Sequence, residues 1–270
     1  MREPVSSTCI YCRRDSTAAQ GVPHVFPEAF VQNRVVLPLG AVCDDCNNYL
    51  GVELDSVFVA HPILSALAQF LRLPGKSGKL RQQLGNVELD AKLSADEVPP
   101  RTITIPCAKP TIVMHPDGSR TATLQPLIDP RFDFRRFRRA IHHIAFNAYA
   151  LQCGCPAALD ARFDAVRDYI RKPKPKEVWP FAQYTNLDIG FKREVTMLIT
   201  ADEKQAFAGM VICAGMAFGV DLLNSGNLRE WMTAKFPPST EIVGVNHHVP
   251  RAQRPPKKGP KYRFTIYVDE

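Results

Sequence analysis

Hydrophobic positions change period several times along these 270 residues. From Leu54 to Leu73 they fall mostly at helical spacing: Leu54, Val57, Phe58, Ile63, Leu64, Leu67, Phe70 and Leu71. Pro62 interrupts the run, so the pattern predicts a helix, a break, and a second helix ending at Leu73-Pro74-Gly75. Residues 84–128 alternate short apolar runs with turn signals. Asn86–Leu93, Arg101–Ile105, Thr111–Met114 and Thr121–Leu127 read as strands, and His115-Pro116-Asp117-Gly118 as a hairpin turn. The clearest helix runs from Asp133 to Leu151, with Phe134, Phe137, Ile141, Ile144, Ala145 and Ala148 on one stripe. Arg135, Arg136, Arg139, His142 and His143 lie opposite that stripe. A second helix is expected from Ala158 to Ile170. Val195–Thr200, Ala206–Ala214, Met216–Leu223, Glu241–Val245 and Tyr262–Val268 read as strands.

The expected fold class is therefore α+β. Three regions are expected: a cysteine-bearing N-terminal module over 1–60, a helix and short-strand connection over 61–130, and a mixed helix and antiparallel-sheet domain over 131–270. A hydrophobic content of 45% is that of an ordinary globular protein. No stretch approaches ~18 consecutive apolar residues, so a membrane span is not expected. The longest such segment, Ala206 to Leu223, is broken by glycines and Asp221 and reads as buried strand. Met1-Arg2-Glu3-Pro4 is polar and no apolar signal region follows, so the expected location is cytoplasmic. The sequence has neither internal repeats nor a phosphate-binding glycine loop of the P-loop type.

Charge is distributed unevenly within the net +7. Residues 1–60 hold four Lys+Arg against seven Asp+Glu, giving −3, whereas residues 131–180 hold eleven against five, giving +6. A grip on an anionic polymer must therefore come mainly from downstream of the N-terminal module. Two stretches offer one. The Arg135, Arg136 and Arg139 helix face is either an ordinary solvated face or a phosphate-contacting ridge. The segment from Arg251 to Lys261 carries five basic residues and three prolines, and is either a solubilising loop or a second contact.

Four cysteines carry the most specific chemistry. Cys9-Ile10-Tyr11-Cys12 and Cys43-Asp44-Asp45-Cys46 are two C-x-x-C knuckles. Each places two soft ligands on a tight turn, and four thiolates satisfy Zn²⁺ and leave no open position. Two disulfides or four unrelated buried cysteines are the competing readings, and a reducing cytosol favours metal over disulfide. Cys107, Cys153, Cys155 and Cys213 read as buried hydrophobes. Between the knuckles stands Pro23-His24-Val25-Phe26-Pro27, and after the second come Asn47, Asn48 and Gly51.

In this order and spacing, residues 9–55 resemble the zinc-finger branch of the HNH endonucleases. The carrying motifs are the two knuckles, His24-x-x-Pro27, and Cys43-x-x-Cys46-Asn47-Asn48 with Gly51 and Asp55 beyond. The resemblance implies a zinc-stabilised ββα-metal, treble-clef-like module that cleaves nucleic acid, with DNA the expected substrate. It implies structural zinc on Cys9, Cys12, Cys43 and Cys46, and a catalytic Mg²⁺ or Mn²⁺. His24 would be the general base, a task that suits a neutral imidazole near neutral pH. Asn47 would hold the catalytic cation through its hard amide oxygen, or would cap the following helix. Asn48 and Gly51 have structural readings, Asn48 bonding to backbone and Gly51 allowing close packing. Such modules serve bacterial restriction, phage defence and mobile elements.

The chain departs from the family at two positions. Pro23 stands where a metal-binding Asp or Glu usually precedes the histidine. Pro38 stands where an orienting Asn is usual, with Asn33 further upstream. Glu28 or Asp55 would have to supply the carboxylate. Otherwise the module is a non-catalytic one that binds nucleic acid or a protein. In the nuclease reading, the Arg135, Arg136 and Arg139 helix forms one wall of a groove leading to His24.

Overall fold

The architecture comes from a computed structural model. It describes residues 7–27, 35–61, 64, 83–84, 87–89, 101–106, 111–114, 116, 120–123, 132–185, 196–212, 216–235, 241–245 and 261–266. Along the chain, α1 (Asp44–Leu50) runs through a π-helical turn (Gly51–Asp55) into α2 (Ser56–Val59). Five strands follow: β1 (Gln83–Leu84), β2 (Val87–Leu89), β3 (Arg101–Pro106), β4 (Thr111–Met114) and β5 (Arg120–Thr123). Next come α3 (Phe134–Cys153), α4 (Cys155–Ala158), a 3-10 turn (Ala161–Phe163) and α5 (Asp164–Arg171). The chain continues with β6 (Phe181–Thr185), β7 (Thr196–Ala201), β8 (Ala206–Ile212) and β9 (Met216–Asp221). It ends with α6 (Leu228–Lys235), β10 (Glu241–Val245) and β11 (Lys261–Ile266).

The chain divides into two units, one of residues 1–59 with 133–248, the other of residues 60–132 with 249–270. The boundaries expected from the sequence are 60/61 and 130/131. In the second unit β1, β2, β3 and β11 form an antiparallel sheet in that order, and β4 pairs with β5. The basic segment ahead of Lys261 lies outside the described residues, as do Glu28, Asn33, Cys107 and Cys213.

The first unit holds the site. Its five-stranded antiparallel sheet has the order β10-β6-β9-β8-β7. Helix α3 packs on β7, β8 and β9 and also meets α2, the π-helical turn and α5. Asp133 starts α3 by accepting from the Arg136 backbone N–H at 3.0 Å. Burial is then continuous from Phe137 to Ala150, all the way round the helix. The expected apolar stripe meets the aromatic core. Phe58 of α2 stacks on Phe137 with ring centroids 5.7 Å apart, and Phe26 meets Phe58 edge-on at 5.5 Å. Phe137 meets Phe218 of β9 at 6.0 Å. Each such pair contributes about 0.5–1.5 kcal/mol beyond its area. This chain of rings joins the cysteine-bearing module to α3 and α3 to the sheet.

Three expectations need correcting. His142 and His143 are not on a solvated face: both are buried, as are Arg138 and Arg139. Cys153 is not buried, because it ends α3 where the helix leaves the core; Cys155 is buried as expected. The expected single helix from Ala158 is split into α4, the 3-10 turn and α5, with Asp160 capping the 3-10 turn through the Arg162 N–H. No described helix is long and apolar enough to cross a membrane.

Burial of His142 has a consequence for acid stability. Desolvation lowers its pKa from 6.5 to about 4, against smaller opposing effects of its bond to the Arg138 carbonyl and of Asp221. Between pH 6.5 and 4 the unfolded chain takes up this proton and the folded chain does not, so stability falls as pH drops through that window. The full loss amounts to up to ~3 kcal/mol. His142→Gln is expected to remove that part of the pH dependence, seen as converging urea midpoints of variant and wild type toward pH 4.

Candidate functional site

The four cysteines come together as the knuckle spacing requires. Their Sγ atoms all lie within 4.8 Å of one another, and Cys12 and Cys43 are 3.6 Å apart. Tetrahedral zinc with bonds of about 2.3 Å places sulfurs roughly 3.8 Å apart, so the cluster fits that ion and can hold it. Crowding four thiols splits their acidities. The hydrogen bond from Cys46 lowers Cys9 to about 4, and the same contact pushes Cys46 up. Among the described residues this is the one His, Cys, Asp and Glu group able to enclose a metal.

Local geometry builds both knuckles. In the first, Arg13 follows Cys12 in the left-handed region, φ 59°, and its N–H donates to the Cys9 carbonyl at 2.9 Å. The strained turn is pinned at its side chain, which pairs with Asp164 at 2.7 Å and donates to the Leu159 carbonyl. In the second, Cys43 is the N-cap of α1 and Cys46 lies in its first turn. The Ile10 N–H donates to the Ala41 carbonyl at 2.9 Å and ties one knuckle to the other.

His24 sits on an antiparallel pairing of residues 23–25 with 35–37. It bridges Val36, while the Val25 N–H donates to Val35 and the Leu37 N–H to the Pro23 carbonyl. Pro23 is buried and contributes only that carbonyl to polar contacts. The His24 Nδ1 atom is buried and has no hydrogen-bond partner. Helix α1 holds the approach to this strand, since Asp44 accepts from the Gly21 N–H at 2.8 Å and from the Gln20 N–H at 3.2 Å.

Asn47 faces Gly21. A Cβ on Gly21 would stand 2.8 Å from Asn47 Nδ2 and 2.9 Å from Asp44 Oδ1, so the absence of a side chain there allows the close approach. Asn47 is not the N-cap, which is Cys43, so the capping reading fails. Asn48 is exposed. Gly51 also differs from expectation: it is exposed, has helical torsions of −62° and −44°, and a Cβ there would meet nothing within 4 Å. Gly51→Ala is therefore expected to stabilise the chain by about 0.4–1 kcal/mol, read as a higher urea midpoint.

The polar face of α3 is turned toward the module. Arg136 pairs with Glu53 at 3.0 Å and with Asp133 at 3.4 Å. Arg139 is buried and donates to the Ile170 carbonyl and the Tyr49 hydroxyl. His143 Nε2 stands 3.4 Å from Asp55. Its Nδ1 is 2.7 Å from the Tyr11 hydroxyl, which donates to Asn147 Oδ1 at 2.7 Å. Asn147 Nδ2 in turn donates to the His24 carbonyl at 3.0 Å. Burial and then the neighbouring Cys9 and Asp55 charges raise the Tyr11 pKa well above its usual value, so the hydroxyl keeps the proton it donates.

This arrangement corrects the expected phosphate ridge. Arg139 is consumed inside the fold, Arg136 is neutralised by carboxylates, and Arg135 alone of the three is exposed with no ion pair among the described residues, its guanidinium donating to the Lys174 carbonyl. Asp55, expected as a spare carboxylate, faces His143 instead. Tyr11, His143 and Asn147 were not foreseen as site residues. The available signal was positional: 139, 143 and 147 recur every four residues and so share a helix face.

A family model described as HNH endonuclease matches residues 9–63, about a fifth of the chain. No curated protein and no solved structure matches it. Residues 9–63 are thus similar to HNH endonucleases, and the matched segment contains both knuckles, His24 and Asn47.

Proposed function

We propose that the chain is a metal-dependent endonuclease hydrolysing phosphodiester bonds in DNA, with its centre on the His24 strand and α1. The observation that carries this reading is His24 Nδ1, a buried imidazole nitrogen with no partner inside the matched segment. The residue itself is half-buried, and with a free ring nitrogen its imidazole would take a proton from water that reaches it. Asn147 and Val36 hold the His24 backbone from two sides, which fixes where the ring stands. Cys9, Cys12, Cys43 and Cys46 hold a structural zinc with no open position.

Asn47 is the residue of the right chemistry for the catalytic cation, a hard oxygen donor. Bound there, Mg²⁺ or Mn²⁺ would offset charge on the transition state and the leaving oxygen. Asp44, Asp45 and Glu53 already have partners in the fold, whereas Asp55 Oδ1 is buried with no hydrogen bond, which leaves Asp55, Asn48 or Glu28 to complete the coordination. Gly21→Ala is expected to displace the Asn47 amide and raise the Mg²⁺ concentration for half-maximal cleavage several-fold, with zinc content unchanged. The biological setting proposed is bacterial restriction or phage defence.

A second reading rests on Pro23. A buried proline supplies no ligand where the family usually has a carboxylate, which favours a non-catalytic module that binds nucleic acid. Incubation of supercoiled plasmid with the full chain and Mg²⁺ or Mn²⁺ separates the two. Nicking that stops without the divalent cation supports the enzyme; tight binding with no nicking in either metal supports the binding module.

A further inference from the structure

The positive charge of residues 131–180 is not free where the sequence suggested. Arg136 and Arg162 pair with carboxylates, and so does Arg167. Arg138 and Arg139 are buried. Just past α5 the situation reverses. Lys172, Lys174 and Lys176 are exposed, Arg171 is half-buried, and among the described residues none of the four makes an ion pair. Glu177, the acidic residue next to them, is occupied: its carboxylate accepts from the Lys174 N–H at 2.9 Å and from the Trp179 indole at 3.1 Å.

The lysines stand on a built turn. The Glu177 N–H donates to the Lys174 carbonyl at 3.0 Å and closes a four-residue turn with Pro175 second. Lys176, third in the turn, has φ 67°. That position favours Gly or Asn, because a side chain there is strained. A lysine kept in a strained and exposed position points to a use for its charge. Arg135 donates to the Lys174 carbonyl, adding a fifth unpaired cation and fastening the turn to α3.

The turn also adjoins α1. The Tyr49 hydroxyl donates to the Arg171 carbonyl at 2.8 Å. A notch of about 290 Å³ is lined by Asp45, Cys46, Tyr49, Arg171 and Lys172. Its one carboxylate, Asp45, is already paired with Arg14 at 3.0 Å. The cationic wall therefore flanks the helix that carries Asn47.

We infer that the turn of Arg171, Lys172, Lys174 and Lys176, with Arg135, is the surface that grips the phosphodiester backbone of nucleic acid. The inference rests on the nuclease reading above and gives it a substrate path along α1. Point charges on flexible stems suit contact with phosphate and carry no base readout. Such a grip releases condensed counterions, about 0.9 per phosphate contact.

The test is the salt dependence of binding by the full chain to a fluorescent DNA duplex, with no divalent cation added. Lys172→Gln, Lys174→Gln and Lys176→Gln together are expected to lower the slope of log K against log salt by up to ~3 and to weaken binding alike for unrelated sequences. Lys204→Gln with Lys235→Gln, two exposed lysines elsewhere in the unit, should leave the slope at its wild-type value. An unchanged slope in the triple variant would overturn the grip, while the nuclease reading would stand if wild type still nicked plasmid. Equal losses from both sets would also overturn it, by showing only a diffuse field. Wild type that neither bound duplex nor nicked plasmid would remove the nuclease reading beneath it.

Discussion

Cys43→Ser is expected to release one zinc per chain and to unfold residues 9–59. Metal-linked folding of such modules contributes roughly 10 kcal/mol or more, comparable to the whole stability of an ordinary domain, about 5–15 kcal/mol. Cys43 has two tasks here, as one of the four clustered thiols and as the N-cap from which α1 starts. Loss should spread beyond the module, because Tyr11, Tyr49 and Asp55 are partners of buried groups on α3. The measurements are metal content by mass spectrometry and amide exchange across residues 9–59 and 134–153. A metal-free preparation with unchanged protection in both segments would show that zinc does not hold the module.

His24→Ala should abolish cleavage, by on the order of 10²–10⁴ in rate, while zinc content and duplex binding stay near wild type. The structural ground for expecting so clean a separation is that the His24 side chain makes no hydrogen bond through Nδ1, and its stabilising contacts are through the backbone. Alanine keeps those backbone bonds. Single-turnover plasmid nicking reads the effect. Cleavage at the wild-type rate would end the assignment of His24 as base.

Legibility of the fold followed the strength of local pattern. The alternation in Thr196–Ala201 and the apolar run in Ala206–Ile212 showed their strands from the sequence. Phe181–Thr185 and Leu228–Lys235 did not. The first is five residues directly after Pro180, and the second carries a weak apolar stripe whose core residues are Leu228, Trp231 and Met232. At the site, cysteine spacing and the flanking His24 and Asn47 were readable because a metal knuckle is local. The polar face of α3 is not legible in the sequence, for a physical reason. Polarity tells that a side chain needs a partner, and water is the default partner when none is near in sequence. The partners of Arg139, His143 and Asn147 lie 31 to 136 residues away, so nothing local distinguished a buried hydrogen-bonded face from a wet one.

The seam between α3 and the module limits how portable the nuclease-like cassette is. Residues 9–63 carry the whole recognisable signature, yet the amide that seats the His24 backbone comes from Asn147, and the base facing Asp55 comes from His143. A graft of the matched segment onto another scaffold would take the thiols and His24 with it. It would leave behind the carboxamide and imidazole that receive Tyr11 and Asp55, and would strand a buried phenol and the faces of Phe26 and Phe58 in solvent. The structural unit in this protein is thus the finger together with the helix that answers it, two pieces more than 70 residues apart that a short graft does not carry together.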